Sequence, residues 1–174
     1  MSVEESHSEA ETRAYLLSEL EDMGAPVLIG GLEAILMEAD GQIVSEGVTQ
    51  DMRDGSAAVA VASADIVAIV LGHPRAGEDA AFLAALEPYA EELREETGLA
   101  NLAERALAIV ANPERAEYAA AKGTEESPAA FQAVLTEVRA RVALAEADHP
   151  GEWDMMAVPE GAFQVTMFAE DGDG

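Results

Sequence analysis

The chain has 174 residues, 35 of them acidic and 9 basic, for a formal net charge of -26 at pH 7, and it contains no cysteine. Disulfides, thiolate metal sites and cysteine nucleophiles are therefore excluded, and so negative a surface repels nucleic-acid phosphate and anionic lipid. Hydrophobic residues make up 49%, which excludes disorder for most of the chain, although much of that share is alanine and the core is expected to be thin in large side chains.

The charge also bears on the solvent. At a Debye length of about 8 Å the self-repulsion of such a sphere is roughly tens of kcal/mol, against a net folding stability of about 5–15 kcal/mol. In molar salt the Debye length falls to about 3 Å and most of the penalty disappears. The composition therefore points to a salt-loaded cytoplasm. Residues 1–11, MSVEESHSEAE, are acidic where a signal peptide would be basic. The longest apolar stretch, Ala57 to Gly72, is interrupted by Ser63 and Asp65 and is too short to span a bilayer. A cytoplasmic protein that binds neither membrane nor nucleic acid is expected. The eight arginines are scattered, only Arg139 and Arg141 lying close, and they form no basic stripe.

In chain order, residues 1–7 read as an acidic tail, and residues 8–169 as one domain. Ser8 and Glu11 form a capping box for a first helix, with Leu16, Leu17 and Leu20 on its apolar face and Gly24 and Pro26 ending it. A β region is expected next. Val27 to Ile29 precede Gly30-Gly31, and Leu32 to Met37 run into Asp40-Gly41, a hairpin signal, with residues 42–46 returning as the partner strand. Asp51 to Gly55 reads as a turn; it resembles a calcium loop only loosely, since Arg53 stands at the second ligand position. Residues 57–71 fit two buried strands broken near Ser63 to Asp65, or one alanine-rich helix; valine and isoleucine favour strands.

The second half reads as helical. Glu78 and Asp79 open a helix that Pro88 kinks or divides. Asn101 with Glu104 marks another cap, Asn112-Pro113 a further start, and Ser127-Pro128 the start of the best-signalled helix, with Phe131, Val134, Leu135, Val138 and Val142 on one face. Asp148 to Gly151 ends it. Residues 162–169 alternate as a strand, and residues 170–174 form a second acidic tail. The expected fold is α+β, with an antiparallel sheet from about residues 26–71 plus the strand at 162–169 packed against several helices. The alternative is a mostly helical domain with one hairpin.

Chemistry is sparse. The loop Gly72-His73-Pro74-Arg75-Ala76-Gly77 offers a histidine for acid–base work and an arginine for an anion. The loop around His149 resembles it and leads to Trp153; a shared metal site completed by Asp65 or Glu152 has no supporting ligand spacing. His73, Arg75, His149 and Trp153 are the ligand-binding candidates, with no catalytic residue, metal or cofactor assigned. Met155 and Met156, beside Trp153, form a soft apolar cluster that fits core packing or a partner surface. The leading functional expectation is a non-enzymatic regulatory or protein-interaction protein adapted to high salt, acting as a homo-oligomer. The alternatives are a small-molecule-binding domain or a small enzyme using the loop His73 to Arg75.

Overall fold

The computed structural model describes residues 9–39, 49–115, 118 and 120–154. Among them are six helices: α1 (Glu9–Met23), α2 (Pro26–Ala39), α3 (Gln50–Val70), α4 (Ala80–Arg94), α5 (Leu99–Ala111) and α6 (Pro128–Asp148). Helix α3 is the axis of the molecule and packs against α1, α2, α4, α5 and α6. Its alanines explain how. Ala57, Ala60, Ala64 and Ala68 recur at helical spacing and all are fully buried. Side chains that small let neighbouring helix backbones approach closely, while Ile66 and Val67, also fully buried, fill the space between.

The expected α+β fold is overturned: no strand occurs among the described residues, and the mostly helical alternative fits. Residues 26–39, read as the first part of a sheet, form α2, with Pro26 at its first turn. Gly31 is not a turn residue. A Cβ there would lie 3.0 Å from Val59 Cγ1 and 3.3 Å from Ser63 Oγ, so glycine is the residue that lets α2 seat on α3. Residues 57–70 belong to α3, capped by Leu71, and burial on almost every side of that helix, rather than a pleated strand, accounts for their valine and isoleucine. Asp51 to Gly55 is the start of the same helix, capped by Thr49, whose hydroxyl accepts the Met52 N–H at 3.2 Å. The Asp40-Gly41 turn with its return strand, the Met155–Met156 cluster and the strand at 162–169 lie outside the described residues.

The other helical expectations hold in part; Ser8 of the first capping box lies outside the described residues, and the helix expected from Asn112-Pro113 falls partly outside them. Asp79 caps α4, which runs continuously through Pro88. Ser127 caps α6, accepting the Ala130 N–H at 3.1 Å, and the expected apolar face is buried at Phe131, Leu135, Val138 and Val142. Asn101 is not a cap: α5 begins at Leu99, after Gly98 in the left-handed region at φ 83°. No helix among the described residues is long and apolar enough to cross a membrane.

Candidate functional site

Asp65 sits in the C-terminal third of α3, in an otherwise apolar run, with its side chain 5% exposed. A buried carboxylate needs charged partners, and two arginines supply them. Arg13 of α1 donates from Nη2 to Asp65 Oδ2 at 2.7 Å, and Arg141 of α6 donates from Nη2 to Asp65 Oδ1. Each arginine has a further carboxylate. Arg13 Nη1 donates to Glu78 Oε2 at 2.6 Å, and Arg141 Nε donates to Glu137 Oε2 at 2.7 Å. Arg141 Nη1 also donates to the carbonyl of His73 at 3.0 Å. Arg13 lies against the face of Phe82, with its guanidinium carbon 4.0 Å from the ring centre.

Arg75 joins this cluster from the loop after α3. It donates from Nη2 to Glu9 Oε2 at 2.7 Å, and its Nε stands 3.3 Å from Glu78 Oε1. Three of the chain's nine basic residues thus meet at one place. Burial pulls both Arg13 and Arg141 toward the neutral form, yet the hydrogen bonds and charges of Glu78 and Asp65, and of Glu137 and Asp65, outweigh it and raise both groups above the ordinary range. For Glu78, burial pushes upward, and the hydrogen bond and charge of Arg13 more than offset it, leaving the carboxyl below the usual carboxylate range.

Beside the cluster lies a cavity of about 70 Å³, whose lining combines apolar side chains such as Val61, Phe131, Val134 and Val138 with the charged Glu9, Arg13, Asp65, Arg75 and Glu125. Arg13 is 8% exposed, and its Nε–H has no hydrogen-bond acceptor.

Of the sequence candidates, Arg75 belongs to this cluster directly and His73 through its carbonyl. The His73 ring bonds Asp148 instead, Nε2 to Oδ2 at 2.7 Å, at the surface. His149 Nε2 donates to the Leu71 carbonyl at 3.3 Å. The two His-Pro loops therefore meet, at the shared end of α3 and α6, but no group of three or more metal-ligating side chains occurs among the described residues. Trp153 lies apart. Its indole N–H donates to the buried Glu33 of α2 at 2.8 Å, its backbone N–H donates to Asn101 Oδ1 at 3.0 Å, and its carbonyl accepts from Arg105 at 3.0 Å. These three bonds clip the segment after α6 onto α2 and α5. Burial raises the Glu33 carboxyl above its ordinary range, with the Trp153 bond opposing.

Arg13 and Arg141 were not among the sequence candidates, and Asp65 entered only as a possible metal partner. The signal was present: an aspartate flanked by Ala62, Ala64, Ile66 and Val67 is a buried charge awaiting a cation. With both carboxylate oxygens held by arginines, Asp65 cross-links α1 and α6 to α3. No protein-family model matches the chain, and neither a curated protein nor a solved structure does.

Proposed function

We propose that this chain is a non-enzymatic regulatory or interaction protein of a salt-loaded cytoplasm, working as a homodimer. One observation carries the reading. Tyr15 and Met52, exposed at 54% and 55%, stand beside two grooves that run along α3. Tyr15 lines a groove of about 440 Å³ between α1 and α3, and Met52 lines one of about 360 Å³ between α2 and α3. Gly55 and Val59 belong to both, so the two grooves adjoin in one mostly apolar surface, with Glu11, Glu38, Arg53 and Asp54 also in the lining.

A two-fold dimer uses the same patch on both copies, and in the arrangement proposed Met52 and Tyr15 of one copy pack against the grooves of the other. At -26 per chain, two copies in dilute buffer repel strongly, whereas in brine that repulsion is screened and apolar contact decides. The saturated state of Asp65, and the surface setting of the His73–Asp148 pair, support a binding role over a catalytic one.

Light scattering coupled to size exclusion in about 3 M KCl, where charges are screened, tests the reading. A mass twice the 18.2 kDa of the chain is expected, falling to the single-chain mass in a Tyr15→Asp, Met52→Asp double variant. A strictly monomeric parent chain, or a dimer indifferent to both substitutions, overturns it.

A further inference from the structure

We propose that Glu33 and Trp153 form a proton-controlled latch, closed while Glu33 is protonated and loosened when it ionises, which sets how firmly residues 149–154 are held on α2 and α5. The inference is independent of the dimer and rests on a contrast between buried carboxylates. Asp65 is faced by Arg13 and Arg141, and Glu78 by Arg13 and Arg75. Glu33 is buried as well, at 7% exposure, but among the described residues it joins no ion pair, and the Trp153 indole N–H at 2.8 Å is its partner.

An indole N–H is a neutral donor: it satisfies one lone pair of the carboxylate and leaves the charge uncompensated. A buried carboxylate without a cation is relieved by taking up a proton or by reaching water. For Glu33 these two routes oppose each other. The protonated acid is neutral and stays beneath the indole, whereas the carboxylate gains water when Trp153 moves off. The latched state therefore holds the proton more tightly than the open one, so acid closes the latch and alkali loosens it. The carboxyl itself follows this direction: burial raises it above the ordinary range, and the Trp153 bond, which favours the charged form, opposes without cancelling.

The other fastenings of Trp153 do not pass through Glu33. Its backbone N–H bonds Asn101 and its carbonyl accepts from Arg105, so the segment stays tethered to α5 when the indole lets go and the opening is local. The charged side chains on the elements around α2 are engaged elsewhere. Arg105 of α5 is held by that carbonyl, and Glu104 pairs with Arg139. On α3, Arg53 pairs with Glu38 of α2 itself, and Asp65 with Arg13 of α1 and Arg141. Glu146 of α6 accepts from Asn101, and the segment carries His149, bonded to the Leu71 carbonyl, with Glu152 and Asp154 on either side of Trp153.

Trp153 is the single tryptophan of the chain, so its fluorescence lifetime reports the latch. The test measures quenching of the full chain by acrylamide, an uncharged probe, in a constant background of about 3 M KCl. The quenching rate constant is expected to fall about threefold or more between about pH 8 and pH 5 with the helical circular dichroism unchanged, because each pKa unit by which closure raises Glu33 shifts the open-to-closed ratio tenfold. Glu33→Gln keeps an acceptor oxygen and removes the charge, and it is expected to hold the low value throughout. A parent profile that is flat, or that rises in acid, overturns the latch whether or not the variant folds. A Glu33→Gln profile that retains the parent's pH dependence overturns it too, and assigns the titration to Glu146, Glu152 or Asp154.

Discussion

Replacing Asp65 with alanine leaves two buried guanidinium groups, of Arg13 and Arg141, facing a space that held their shared counter-charge. Their side chains are 10% and 9% exposed, so water does not substitute for it. Removing one partner of a buried ion pair costs about 3–5 kcal/mol. Glu78 still neutralises Arg13 and Glu137 still neutralises Arg141, which keeps the loss within that range even though two arginines are affected. For a chain of this length each kcal/mol lowers the unfolding midpoint by about 2–4 °C, so a drop of about 10 °C is expected. Urea unfolding followed by circular dichroism is the assay, since urea leaves ionic strength unchanged. Arg139→Ala is the control: its bond to Glu104, at 3.3 Å, joins side chains 39% and 32% exposed, and its loss is expected to cost under about 1 kcal/mol. Concentrated KCl separates the two, because buried pairs are screened far less than exposed ones. If Asp65→Ala costs less than about 1 kcal/mol, or if its cost vanishes as KCl rises, Asp65 is not the buried hub described.

Three further outcomes follow. The urea midpoint of the parent chain is expected to rise steeply between about 0.1 and 3 M KCl as surface repulsion is screened, and a flat profile refutes the salt-adaptation argument. Two carboxyls shape the acid limb in opposite senses. Glu78 lies below the usual range, so its contribution is complete above the unfolded carboxylate pKa and is lost as pH falls through its folded value. Glu33 lies above, so its cost is absent at low pH and grows as pH rises through its folded value; Glu33→Gln is expected to be neutral to about 1 kcal/mol stabilising at pH 7, with the Trp153 contact retained, and a large loss of stability counts against a desolvated Glu33. Gly98 has φ 83°, and a Cβ there would lie 2.7 Å from the Trp153 backbone nitrogen; Gly98→Ala is expected to cost about 1–2 kcal/mol for the backbone alone and to free the Trp153 clip, shown by red-shifted tryptophan fluorescence. Unchanged emission refutes the clip.

The parts of the fold legible in the sequence were those set by local chemistry. Gly24 and Pro26 mark the end of α1, Asp79 caps α4, and Ser127-Pro128 opens α6, because caps and prolines act on the residues beside them. The parts misread were those set by tertiary surroundings. Val59, Val61, Ile66 and Val67 carry a strand-like composition, but they sit on a helix enclosed by five others, and enclosure removes the polar face from which helical periodicity is read. Gly30-Gly31 resembles a turn until Val59 is seen to occupy the space above Gly31. In the site, Arg75 was found through its loop. Arg13 and Arg141 were not, because ion pairs spanning 52 and 76 residues leave no local pattern.

Those long spans have a consequence for how the molecule opens. Helices α1 and α6 are each fastened to Asp65 in the C-terminal third of α3, so neither can peel away without stranding a charge in the interior. Fraying at these helices is thereby suppressed, and their inner amide protons should exchange with solvent only when the whole bundle comes apart. One aspartate makes the first and last described helices members of a single cooperative unit.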